Sequence, residues 1–256
     1  MTFYQFGDSR VHALNPITKL VFAIVVIIAA FAINAVWFPA LLWLLLAATA
    51  ATAGVLGRFG SVTLKFFAPF LLLIFLAQGL FYPGEGPVLA EFGPLQVQQD
   101  GLLFATQTGL RLLVLVDAFL FLLLTTHPSS LMTALVQRGL PPNISYVVSA
   151  TLQIIPTFRA RAQLIRQAQQ ARGLALDGGP VRRARTLLPL VGPLVLGAFT
   201  DVEERAIAME ARAFGAPTRR TNFEVIPDSV GQRVARWALW ICAAAALAAN
   251  ALGVFS

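Results

Sequence analysis

The chain has 256 residues, of which 57% are hydrophobic and only 12% charged, and its net charge is +7. Soluble domains carry about 25% charged residues, so this composition excludes an ordinary soluble globule and predicts an integral membrane protein. One cysteine, Cys242, excludes an intrachain disulfide framework and a cysteine-based metal site.

The first apolar run is Leu20 to Ile33, preceded by Lys19. Ala30-Phe31-Ala32 resembles a signal-peptide cleavage site, but Asn34 and Pro39 lead directly into a second apolar run, Ala40 to Leu56. Phe66 to Tyr82 is a third span, with Arg58 and Lys65 in the loop before it. A loop rich in proline and glycine runs from Pro83 to about Gly101. Leu102 to Leu124 is the fourth span and Val234 to Phe255 the last. A bilayer core about 30 Å thick takes about 20 apolar residues per helix, and five segments meet or approach that need.

Between the fourth and last spans lies a basic region. Fourteen of the nineteen Lys and Arg residues fall between His127 and Arg236. The loop from Pro83 to Gly101 has none. The positive-inside rule then places the N-terminus and the basic region in the cytoplasm and the C-terminus outside. Two apolar stretches in this region, Tyr146 to Phe158 and Leu187 to Phe199, are short and contain Pro156, Pro189 and Pro193. They read as helices at or below the membrane surface, broken by proline. The division is a membrane domain over 1–126, a coupling region over 127–232 and a last transmembrane helix over 233–256.

Within the basic region, Leu131 to Arg138 reads as a short helix with Ser129 or Ser130 as N-cap and Gly139 as its stop. A long helix follows from about Ile144 to Arg172, ended by Gly173 in the left-handed conformation. A loop containing Asp177-Gly178-Gly179-Pro180 leads to a second long helix, Val181 to Ala213, with Gly215 and Pro217 as terminators and Arg219-Arg220 on the linker beyond. On this helix Asp201 and Arg205 are spaced to pair on one face. Each long helix closes on nearly the same phrase, Ala171-Arg172-Gly173 and Ala211-Arg212-Ala213. One such phrase is ordinary capping, since a cation in the last turn favours the helix dipole. Two of them forty residues apart offer matched ends to two copies, or two halves, of one soluble partner.

Arg111 and Asp117 lie within the fourth span, six positions apart on different faces, so they are not expected to pair with each other. Charges there serve either structure or a partner interface. His12 and His127 are not spaced as a site. No Gly-rich phosphate loop with a following Lys-Ser/Thr is present, so any ATP hydrolysis belongs to another chain. No cofactor, metal or nucleic acid is implied.

These residues resemble the transmembrane, or T, component of energy-coupling factor (ECF) transporters, ABC-type importers of vitamins and metals in prokaryotes. The likeness rests on Leu14-Asn15-Pro16-Ile17-Thr18-Lys19-Leu20, on Thr125-Thr126-His127-Pro128-Ser129-Ser130-Leu131, on Ile154-Ile155-Pro156 and on the paired Ala-Arg phrases. The second phrase departs from the family's Ala-Arg-Gly at Ala213. The resemblance implies an all-α membrane protein of about five transmembrane helices with one short and two long crossing helices on the cytoplasmic side. It further implies a non-catalytic subunit of the prokaryotic cell membrane. Arg172 and Arg212 would dock in acidic grooves of two ABC ATPases, and a separate small membrane protein would bind the substrate. Two other readings stay open: an ABC permease with its own translocation path, and a basic membrane scaffold without an ATPase.

Overall fold

A computed structural model describes residues 7, 9, 11–81, 86–92, 95–173, 180–214 and 226–252. The expected loops at Pro83–Glu85 and Leu174–Gly179, and the Gly215-to-Arg220 linker, lie outside them. The described chain is almost wholly helical: α1 Pro16–Ala32, α2 Trp37–Thr52, α3 Leu56–Phe81, α4 Gln99–Thr125, α5 Pro128–Val136, α6 Pro142–Ala171, α7 Pro180–Ala211 and α8 Val230–Ala251. A two-stranded antiparallel hairpin, β1 Val88–Phe92 and β2 Leu95–Gln98, sits between α3 and α4. This is an all-α membrane protein. Among the described residues, three helices, α3, α4 and α8, are long and apolar enough to cross a bilayer. The apolar helices α1 and α2 have 17 and 16 residues, about 25 Å each at 1.5 Å per residue.

Residue contacts divide the chain into two compact units, 1–134 with 225–256, and 135–224. In the first unit α4 is central. It packs against α1, α2 and α3, while α1 also packs against α8. Lipid is as apolar as leucine, so helix association depends on close fit rather than on the hydrophobic effect. Small residues supply that fit. Ala30, Ala50 and Ala118 are fully buried where α1, α2 and α4 meet, with Leu46, Val114 and Leu124 around them. Outward faces are apolar and exposed, as lipid requires; Leu64 and Trp237 are each 71% exposed.

Two cations of this unit cap each other's helices. The Arg111 side chain on α4 donates to the carbonyls of Ala30 (3.1 Å) and Ile33 (3.1 Å) at the end of α1, and to Asn34 Oδ1 at 2.8 Å. Lys19 on α1 is buried and donates to the carbonyls of Thr125 (2.8 Å), at the end of α4, and His12 (3.1 Å). The last carbonyls of any helix lack intrahelical donors, and water is absent from the bilayer core. Antiparallel α1 and α4 therefore supply each other's missing donors. Arg111 thus lies level with the end of α1.

Several sequence expectations need correction. The third helix begins at Leu56, ten residues before Phe66, so Arg58 and Lys65 sit on α3 and not in a loop. The reason is a tight reversal at Gly54 (φ +74°), where Gly54 N donates to Ala51 O and Val55 N to Ala50 O. Leu56 thus belongs to α3 and not to the second run. The stretch before α4 forms a hairpin rather than a plain loop, and Gly101 lies within α4. Helix α5 is capped by His127, whose Nδ1 accepts from Ser129 N at 3.3 Å; Ser129 and Ser130 are inside the helix. Gly139 (φ +101°) follows α5.

In the second unit the stretches around Pro156 and Pro193 are unbroken parts of α6 and α7. A proline removes one N–H and crowds the preceding turn, but helices of 30 and 32 residues have enough flanking bonds to carry it. The two run antiparallel. Tyr146, near the start of α6, meets Phe214, just past the end of α7, with ring centroids 5.1 Å apart and the ring planes tilted by 58°.

Candidate functional site

The two Ala-Arg phrases end their helices by the same stereochemistry. Ala171 is the last residue of α6, Arg172 is its C-cap (φ −86°, ψ 9°) and Gly173 follows at φ +88°. Gly173 N donates to Gln170 O at 2.9 Å. Ala211 is the last residue of α7, and Ala213 follows Arg212 at φ +54°. Ala213 N donates to Glu210 O at 2.9 Å and Phe214 N to Met209 O at 2.9 Å. These are the two bonds of a Schellman motif.

Ala213 thus occupies the left-handed place that Gly173 fills in the first phrase. It is the one non-glycine residue with positive φ among those described. Gly215, expected as the stop, lies outside the described residues and two positions beyond the observed reversal. A Cβ in this conformation costs about 1–2 kcal/mol. All six residues, Ala171, Arg172, Gly173, Ala211, Arg212 and Ala213, are solvent-exposed. Each phrase presents an arginine on a helix end beside a residue small enough to allow close approach of another surface.

Arg161 on α6 joins the two helices to each other. Its Nη1 donates to Asp201 Oδ2 at 2.7 Å and its Nη2 to Asp201 Oδ1 at 2.9 Å. This bidentate fork is the strong form of the interaction. Asp201 therefore takes its hydrogen bonds from α6, while Arg205, its expected partner within α7, acts on it through charge. The hydrogen bonds from Arg161 hold the Asp201 carboxyl below its ordinary value, and the same bond holds the Arg161 guanidinium above its own. Beside the pair lies a cavity of about 250 Å³, lined by Ile154, Thr157, Phe158, Ala198, Val202 and Arg205 together with Asp201. Sequence reading missed Arg161; its exact forty-residue offset from Asp201, the offset of the two phrases, was the available signal.

In the membrane unit, Arg111 and Asp117 face different neighbours. Asp117 is fully buried and accepts from Trp43 Nε1 on α2 at 2.7 Å and from Thr63 Oγ1 on α3 at 2.6 Å. It ties α2 and α3 to α4. The stretch Asn15-Pro16-Ile17-Thr18-Lys19 is a second polar centre. Asn15 Oδ1 accepts from Ile17 N at 3.0 Å, and Asn15 N donates to Gln232 Oε1 at 3.0 Å. Thr18 Oγ1 donates to the same Gln232 oxygen and accepts from buried Arg236 Nη1 at 2.8 Å. Arg236 also forms a bidentate pair with Asp228 at 2.9 and 2.8 Å. The partners Asp228, Gln232 and Arg236 lie more than 200 residues away in sequence, and no local pattern marks them. Among the described residues, no three of His, Cys, Asp and Glu gather as a metal-binding group.

Residues 7–223 match the family described as "CbiQ: Cobalt transport protein". Among curated proteins the chain is similar to the "Energy-coupling factor transporter transmembrane protein EcfT" of Exiguobacterium sibiricum, 34% identical over 84% of this chain and 85% of that protein. It is 32% identical to the protein of the same name from Bacillus subtilis, over 86% of each chain. That of Thermanaerovibrio acidaminovorans is 33% identical over 93% of this chain and 88% of its own length.

Proposed function

The chain belongs to the CbiQ cobalt transport protein family and is the transmembrane component of an energy-coupling factor transporter, and we propose that it couples two ABC ATPases to a separate substrate-binding membrane subunit. In this reading the chain itself is non-catalytic. It passes the closing motion of the ATPases to the subunit that carries a vitamin or metal ion. It lies in a prokaryotic cell membrane, with the N-terminus and residues 127–232 cytoplasmic and the C-terminus external.

One observation carries the proposal. Two exposed helix ends, Ala171-Arg172-Gly173 and Ala211-Arg212-Ala213, share one backbone geometry down to the left-handed third residue. A pair of like ends suits a pair of like partners. Arginine supplies the planar fork that suits a carboxylate-lined groove, and Ala171 and Ala211 leave that approach unobstructed. Arg111 and Asp117 serve the internal order of the membrane helices, as their contacts within the chain support.

The test is co-purification in mild detergent of this chain expressed with its genomic neighbours. Two ATPase subunits and a small apolar protein are expected in the complex. Arg172→Glu and Arg212→Glu should each weaken ATPase retention, by about 2–5 kcal/mol where a buried carboxylate is left unpaired. The double variant should lose the ATPases while keeping its helical content. A double variant that still holds both ATPases would sink the docking assignment.

A further inference from the structure

The forty-residue offset that lays one Ala-Arg phrase on the other also lays Arg161 on Asp201. Those two residues are the ones that join α6 to α7 through a bidentate ion pair. Because the helices are antiparallel, exchanging α6 for α7 by this offset maps the pair onto itself. The pair therefore lies on a local pseudo-twofold axis. Ala171 is ten residues beyond Arg161, and Ala211 ten beyond Asp201. Each phrase is thus about 15 Å along its helix from the pair, and the two phrases lie at opposite ends of the helix couple.

The backbone beneath the pair is shaped for it. A Cβ at Gly197 would come within 3.0 Å of Arg161 Nη1, so the guanidinium lies close against α7 where no side chain intervenes. The exchange-related position is Thr157, which lines the same cavity as Asp201. On either side, Ile155, Val195, Leu196 and Phe199 are exposed. A fork of two parallel hydrogen bonds fixes both the distance and the plane of approach, which exposed aliphatic side chains do not.

We propose that Arg161 and Asp201 are positioning residues that form the fulcrum of the coupling unit. They hold the point about which the two docking ends move, so that a displacement imposed at one end is matched at the other. This rests on the transporter reading above. A surface ion pair contributes little to stability by itself; its place on the axis, at equal distance from both ends, is what gives it a mechanical role.

The experiment uses the full complex with its ATPases, in a Cys242→Ser background with spin labels at Gln167 and Ile207. Both positions are exposed, one turn before the phrases and related by the same offset. The label-to-label distance is measured by pulsed electron resonance with and without ATP plus vanadate. The unaltered pair should give one narrow distance that shifts with nucleotide. Arg161→Asp and Asp201→Arg should each retain the ATPases but lose that shift, and the charge-swapped double variant should regain it. Arg161→Lys, which keeps the charge without the fork, should fall between. Singles that shift normally, or a swap that stays folded with ATPases bound and regains nothing, would overturn the fulcrum. If a single variant fails to assemble, the swap and Arg161→Lys decide the matter. Failure of the starting complex to hold ATPases would instead overturn the transporter reading, and the fulcrum with it.

Discussion

At the scale of single residues, polar groups in this protein have partners chosen by what burial leaves unsatisfied. Asp117 is the clearest case, a fully buried carboxylate with donors from two other helices. Asp117→Leu would strand the Trp43 N–H and the Thr63 hydroxyl, at about 1–3 kcal/mol for each unsatisfied group. Asp117→Asn keeps an acceptor and should cost less. Thermal unfolding in detergent should rank the three proteins wild type, Asn, Leu; a leucine variant as stable as the parent would contradict the assignment. Ala213 offers the opposite test. Glycine removes the steric cost of φ +54°, so Ala213→Gly should stabilise the end of α7 by about 0.5–1 kcal/mol after its larger unfolded-state entropy is counted. Ala213→Val should destabilise it. Hydrogen exchange at the last turn of α7 reads both changes.

At the scale of elements, helix ends and crossings carry more of the design than helix interiors. Pro156 and Pro193 do not interrupt α6 and α7, whereas Gly54, Gly139, Gly173 and Ala213 each turn the chain at positive φ. The α6–α7 couple also has a pH signature. Hydrogen bonds from Arg161 hold the Asp201 carboxyl below its ordinary value. A carboxylate depressed in the folded state contributes stability that is present above its unfolded pKa and lost as pH falls through the folded value. The α6–α7 contact should therefore hold through neutral and mildly acidic pH and weaken only below the ordinary carboxylate range. Asp201→Asn should remove that acid-limb dependence. Tyr146 and Phe214 fluorescence is overlapped by other rings, so labels at Gln167 and Ile207 followed across pH are the better probe. A contact that loosens near neutrality would contradict the pairing.

At the scale of the whole molecule, single-cysteine labelling in a Cys242→Ser background tests the topology. A cysteine at Gln170 should react from the cytoplasmic face only, and one at Val88 from the external face only; the reverse would invert the orientation read from the basic loops. The apolar runs and the two Ala-Arg ends were legible because their causes are local. Hydropathy over one helix length, a left-handed residue after a last turn and a cation near a helix end all act within a few residues of chain. Even so, the sequence placed the start of α3 ten residues late, because a basic stretch looks like a loop until packing extends the helix through it. It saw Arg111 and Asp117 as charges without naming what they touch. It knew Asn15-Pro16-Ile17-Thr18-Lys19 only as a resemblance, since Thr125, Gln232 and Arg236 are far away in the chain. Composition and local pattern thus determined that the protein is a helical membrane component with two matched exposed ends. Only the tertiary structure decided that Lys19 and Arg111 cap each other's helices, that Asp117 binds α2 and α3, and that Arg161 meets Asp201. A buried polar group takes whichever partner folding brings within about 3 Å, and that choice is made by distant chain segments meeting in space.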